Sequence, residues 1–185
     1  MSLIDRLCDA RAIRQRIASA RDRLYRVALA WSGDAMVADD LVQETLEAAL
    51  AKAHQLREPE RLYAWMYSIM NNCWRHYLRR RRPDCELDEE QLAADSDPEH
   101  LSGQQEIVAH VRTAIARLPV GQREVLTLVD LEGFAYQEVA DILEIPIGTV
   151  MSRLSRARGF LQTALRSLRP DAGAGAGAGR LRRVQ

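Results

Sequence analysis

Lysine is almost missing from this chain of 185 residues: of 26 basic residues only Lys52 is a lysine, and the others are arginines. With Arg preferred throughout, one arginine is a weak sign of function, and placement has to carry the argument. Net charge is missing too, because 26 acids balance the 26 bases, which excludes a uniformly basic coat for nucleic acid. No uncharged apolar run approaches the roughly 18 residues of a membrane span, and Asp5, Arg6 and Asp9 interrupt the N-terminus, so no membrane insertion and no signal peptide are expected. The expected compartment is the cytoplasm. Cys8, Cys73 and Cys85 are odd in number and scattered, which argues against a disulfide framework. They lack metal-ligand spacing, and His54, His76, His100 and His110 are equally dispersed, so no metal is expected. No Gly-rich phosphate loop and no nucleophile beside a base is visible; catalytic residues and cofactors are not expected, and the chain does not read as an enzyme.

What the sequence does have is segregated charge. Residues 83–111 contain no Lys or Arg, while Asp84, Glu86, Asp88, Glu89, Glu90, Asp95, Asp97, Glu99 and Glu106 crowd in. Residues 146–169 contain no acid, while Arg153, Arg156, Arg158, Arg166 and Arg169 are present. At about 100° per residue, Val150, Leu154, Ala157 and Leu161 form one apolar stripe, and Thr149, Ser152, Arg153 and Arg156 fall on a separate face. A short helical pattern from Glu138 to Leu143 precedes it, with a turn at Glu144, Ile145 and Pro146. Short helix, turn and Arg-bearing helix outline a helix-turn-helix; an αα-hairpin with a solvated basic face fits the same spacing.

Earlier in the chain, Ile13, Ile17, Ala20, Leu24, Val27 and Trp31 recur at helical steps over residues 10–31. Gly33 and Asp34 read as a stop and a new start. The next helix, about Ala35 to Ala53, turns Val37, Leu41 and Ala48 inward and leaves Asp40, Gln43, Glu44 and Glu47 outward, a face that is either solvated or docked on a basic partner. After a turn at Arg57, Glu58 and Pro59, a segment carries Tyr63, Trp65, Tyr67, Trp74 and Tyr77 beside Arg75, Arg79, Arg80, Arg81 and Arg82. Rings that stack on unpaired bases, next to arginines for phosphate, suit single-stranded nucleic acid. Trp65, Ile69 and Trp74 equally suit a core, with the basic helix end favoured by the dipole.

The expected fold is all-α: two small helical domains, residues 1–82 and 105–169, joined by a flexible acidic linker over 83–104. The second domain reads as helix through Ile107, Val111, Ile115 and Leu118, a stop at Pro119, and helix again to Gly133. The Ala-Gly run of 170–185 is expected to be a disordered tail.

Three ordered blocks resemble bacterial RNA polymerase sigma factors of the extracytoplasmic-function group. LPVGQREVLTLVDLEGFAYQEVADILEIPIGTVMSRLSRAR resembles the family's region four, ADDLVQETL the helix that docks on the polymerase clamp, and AWMYSIMNNCWRHYLRR the segment that captures the melted proximal promoter element. The resemblance implies a sigma factor that directs core RNA polymerase to promoter DNA and assists melting, with an anti-sigma factor as a further partner. It implies that Asp40, Gln43 and Glu44 meet the polymerase. It places Leu56, Tyr63, Asn72, Arg75 and Arg79 at the single-stranded proximal element, with Asn72 holding a flipped base and the His54 to Leu62 turn enclosing it. Thr149, Ser152, Arg153 and Arg156 then read the distal element in the major groove. The acidic linker would thread toward the polymerase active centre. Leu46, Leu56 and His76 depart from the family's frequent Phe, aromatic and Asp. Ala135 forgoes an N-cap, and Met151 stands where Lys is frequent but off the reading face. Two other classes fit parts of the pattern: a helix-turn-helix repressor binding duplex DNA alone, and a sigma-mimicking protein that sequesters a regulator without binding DNA.

Overall fold

In the structure, a computed structural model that describes residues 3–56, 58–81 and 103–166, all regular elements among the described residues are helical. The helix expected over 10–31 divides into α1 (Leu3–Ser19) and α2 (Arg21–Ser32). The backbone tightens at Ala20, whose N–H donates to the Ile17 carbonyl only three residues back, at 3.1 Å. The apolar stripe passes through the break: Ile17, Ala20, Leu24, Val27 and Trp31 are all buried. Gly33 ends α2 at φ 69°, a conformation glycine adopts without steric cost, and its N–H donates to the Leu29 carbonyl at 2.9 Å. Asp34 opens α3 (Ala35–Ala51) by accepting from the Met36 and Val37 amides at 2.8 and 3.3 Å, the expected stop and restart.

Leu41 of α3 is buried, with Ala38, Val42, Thr45 and Ala49, while Val37 and Ala48 are half-buried at its margins. Two 3-10 turns, Ala53–Gln55 and Pro59–Arg61, lead into α4 (Leu62–Arg81). After the gap, α5 (Gly103–Ala116) stops ahead of Pro119, and α6 (Val120–Leu126) widens into one π-helical turn, Thr127–Leu131, that ends at Gly133 with φ 77°. Then come α7 (Tyr136–Leu143) and α8 (Ile147–Ala164). Ala135 has no side-chain acceptor, so only the reverse half of a capping box forms: its N–H donates to Glu138 Oε2 at 2.9 Å. Arg57, Arg82, most of the acidic stretch and the tail from residue 167 lie outside the described residues.

One hydrophobic cluster runs through both halves of the chain, joining Trp31, Met70 and Trp74 of the first to Leu126, Leu128, Ile142 and Leu143 of the second. The seam falls where α2 meets α5, α6 and the π-turn, and where α4 meets α7. Among the described residues, no helix is long and apolar enough to cross a membrane.

Candidate nucleic-acid interface

On α8 the apolar stripe does what its spacing dictates: Val150, Leu154 and Ala157 are buried against α6 and α7, and Leu161 is half-buried. The turn before it holds Glu144 at φ 55°, a left-handed position for a non-glycine residue, followed by Pro146 at the helix entry. Ser152 and Arg156 are exposed on the opposite side and Thr149 is half-buried at its edge. Arg153 differs from them. It is half-buried, and its guanidinium lies so close over Gly121 of α6 that a Cβ there would meet Cζ and Nη1 at 2.7 Å.

The α4 segment is used differently. Tyr67 and Trp74 are buried, and Trp65 and Ile69 are half-buried, so most of its large apolar surface serves packing. Trp74 stacks on Tyr77 with ring centroids 5.4 Å apart and lies 6.5 Å from Trp31; Tyr67 meets Phe134 edge-on at 5.5 Å. Tyr63 is covered by the Arg23 guanidinium, 4.1 Å from its ring centre. Arg75 crosses to the second half, donating to the Leu143 carbonyl at 2.7 Å and to Glu144 at 2.8 Å. Asn72 and Arg79 are exposed, seven residues apart and therefore on one side of α4. Along the same side, Trp65 and Ser68 line a cavity of about 310 Å³ together with Leu56, Arg61 and, from α7, Glu138 and Asp141. The structure thus leaves Asn72 and Arg79 on an open flank, sets Leu56 in the cavity shared with α7, covers Tyr63 with Arg23 of its own half and engages Arg75 in the seam. Asp40, Gln43 and Glu44 are exposed on α3, where Gln43 donates to Glu47 at 3.0 Å.

The seam itself is polar at its edges. The Trp31 indole N–H donates to the Thr127 hydroxyl at 2.7 Å, and the buried Asn71 amide donates to the Ile142 carbonyl at 3.1 Å. Arg123, buried, donates to the carbonyls of Trp31, Ala116 and Leu118, tying the end of α5 to the end of α2. Arg23 pairs with Glu132, whose side chain is 1% exposed. The Trp74 indole N–H donates to Glu124 at 2.9 Å. Burial pushes the Glu124 carboxyl up from 4.5 to about 7, and that hydrogen bond and the charges of Arg153, Arg75 and Arg123 hold it from going higher. Burial, with Glu44 nearby, also pushes the Cys73 thiol up, away from thiolate reactivity.

Magnitudes show what holds the seam. The Arg75–Glu144 pair, 39% and 64% exposed, belongs to a class worth about 0 to 1 kcal/mol. A tryptophan that buries about 150 to 250 Å² contributes roughly 4 to 6 kcal/mol at about 25 cal/mol/Å², an upper bound. The Arg75–Glu144 pair is therefore small beside the burial of one such ring and serves mainly to orient the contact. Sequence reading did not single out Asn71, Arg123, Glu124 or Glu132. Their one signal is polarity at positions flanked by apolar helix residues, and nothing local names partners 50 to 109 residues away.

A helix-turn-helix with exposed Ser152 and Arg156 and Thr149 at the edge of the same face, packed on a helical half that combines a basic helix with an acidic outer face, defines a DNA-binding transcription protein. Residues 17–83 match the Sigma-70 region 2 family and residues 110–161 match Sigma-70, region 4. The chain is 38% identical over 159 residues to the ECF RNA polymerase sigma factor EcfG of Rhodopseudomonas palustris, covering 83% of this chain and 85% of that protein. It is 31% identical over 176 residues to the RNA polymerase sigma-H factor of Pseudomonas aeruginosa, covering 89% and 91%. The solved sigma factor RpoE of Bartonella quintana, in complex with the anti-sigma factor NepR, superposes with a TM-score of 0.65 at 28% identity over 82% of this chain and 95% of that one. CnrH, solved with the cytosolic domain of CnrY, gives 0.60 at 26% identity over 85% and 89%. The chain belongs to the extracytoplasmic-function RNA polymerase sigma factors, and its function is to direct RNA polymerase to promoters.

Proposed function

We propose a division of labour within that role. The exposed face of Asp40, Gln43 and Glu44 docks on a basic surface of core polymerase. α4 captures the melted proximal element, with Asn72 bonding the edge of an extruded base beside the cavity at Leu56 and Trp65, and Arg79 holding phosphate. α8 enters the major groove of the distal element and presents Thr149, Ser152 and Arg156 to base edges. The chain works by binding, without catalysis of its own, in the cytoplasm where polymerase and promoter are. The domains correspond to residues 1–82 and 105–169, with the acidic stretch between them as the connector.

The observation that carries this reading is the exposure of Asp40, Gln43, Glu44, Asn72 and Arg156 on three different helices, none of which needs those groups for its own packing. Arg75 reaches a strand only once the halves part, because Leu143 and Glu144 hold it in the seam, while Tyr63 is covered by Arg23 of its own half. An anti-sigma protein is the proposed partner that keeps the halves together, as the solved RpoE of Bartonella quintana was captured in complex with the anti-sigma factor NepR. Transcription from a genomic promoter library with purified core enzyme tests the assignment. Wild type is expected to select a promoter set, and reversal of charge at both Asp40 and Glu44 to weaken core binding with thermal melting unchanged. Equal core affinity of the double variant would remove the docking face.

A further inference from the structure

α8 carries two arginines on its polar side, and the fold treats them unequally. Measured from the centre of the buried stripe, Arg153 lies about 70° around the helix and Arg156 about 130°. Arg156 therefore points outward and is exposed, while Arg153 flanks the packed side. Gly121 is buried beneath its guanidinium, and a Cβ there would meet Cζ and Nη1 at 2.7 Å and push the side chain aside. Its charge also acts on the Glu124 carboxylate, one turn along α6 from Gly121. Gly121 is thus a cradle, and Glu124 a counter-charge, for one group on the recognition helix. α6 and α8 are the main packing pair within this half, so whatever fixes their contact fixes the depth and angle at which α8 meets DNA.

We propose that Arg153 is a positioning residue that sets the seat of α8 on α6, and that distal-element base reading falls to the outward residues, chiefly Ser152 and Arg156. The inference rests on the proposed entry of α8 into the major groove. A guanidinium is suited to the task because it is flat, stacks on a bare backbone and keeps its charge when half-buried. Lysine would keep the charge without the plate. The contact with Gly121 and the coupling to Glu124 lie within the second half, so they survive separation of the two halves.

The test uses holoenzyme reconstituted from core polymerase and the full chain. Duplex promoters recovered by the wild-type holoenzyme from fragmented genomic DNA are randomised across the distal element. Arg153→Ala is expected to lower occupancy by one common factor, on the order of tenfold or about 1.4 kcal/mol, at every base of the element. The slope of log occupancy against log salt should not change, whereas loss of a phosphate contact flattens it by about 0.9. Gly121→Ala should reproduce the loss, and Gly121→Ala with Arg153→Lys should recover part of it, since the slimmer side chain tolerates the added Cβ. Should Gly121→Ala fail to fold by circular dichroism, the base profile and salt slope of Arg153→Ala decide alone. A changed preference at one position in Arg153→Ala, or a flattened salt slope, overturns the proposal. If instead Arg156→Ala and Ser152→Ala leave preference intact at every base, the groove reading of α8 itself has failed.

Discussion

α4 and α8 carry the same kind of chemistry, arginines beside groups that can meet bases, and the fold disposes of them in opposite ways. On α8 the apolar stripe is narrow, so burying Val150, Leu154 and Ala157 leaves Ser152 and Arg156 outward in the packed chain. On α4 the apolar residues are spread around the helix. Tyr67, Met70 and Trp74 are buried, and Tyr63 and Arg75 are taken up by contacts with Arg23, Leu143 and Glu144. A duplex reader needs a rigid surface that is ready before DNA arrives. A single-strand reader is useful only after a base has left the stack, and here much of it is engaged by the other half until then. In this account the seam couples duplex recognition to strand capture.

The largest expected effect breaks the α4 side of the comparison. Asn72→Ala removes the amide proposed to offset base extrusion, an expense of a few kcal/mol, so promoter opening should slow by roughly 100-fold or more while distal-element binding survives. Fluorescence of a base analogue in the proximal element reads this, and a pre-melted bubble should rescue most of the loss. Normal opening by the variant would move the pocket to other residues.

A smaller effect is expected on the α8 side. Arg156→Ala should cost roughly 1 to 3 kcal/mol and relax preference at a single distal position, with opening on a bubble template unaffected. Uniform weakening across all sequences would instead assign Arg156 to phosphate.

A further effect concerns the seam between the two halves. Glu124 binds its proton more tightly in the packed chain than an ordinary carboxyl does, since burial raises it from 4.5 to about 7. The packed state therefore holds more protons in that range, and its stability is fully present below about 4.5 and declines as pH rises to about 7, levelling beyond. Glu124→Gln keeps an acceptor for the Trp74 N–H and removes the titration. Melting temperatures of wild type and variant should diverge between those two values, wild type falling relative to variant; parallel curves would mean that Glu124 does not sense closure.

The helical fold was largely legible in the sequence because its signals are local. Gly33 needs a left-handed turn, Asp34 caps by its own carboxylate, and the three- and four-residue steps of Ile17 to Trp31 and Val150 to Ala157 declare buried faces. The exposure of Asp40, Gln43, Glu44, Asn72 and Arg156 follows from the same periodicity. The seam was not legible. Trp74 looks equally like a stacking platform and a core residue until Glu124, fifty positions on, is seen to accept its N–H. Arg153 and Arg156 look alike in a motif, and the close approach of Arg153 to Gly121 shows which of them is taken up by packing.

The central claim is that the halves must part before α4 can take a strand, and a distance across the seam tests it most directly. Spin labels at His76→Cys on α4 and Ser155→Cys on α8, both exposed positions, can be placed in a chain whose Cys8, Cys73 and Cys85 are replaced by serine. Pulsed electron resonance of the free chain should give one narrow distance. In the open complex with core polymerase and promoter that distance should vanish in favour of a longer one. An unchanged distance in an open complex would contradict the account.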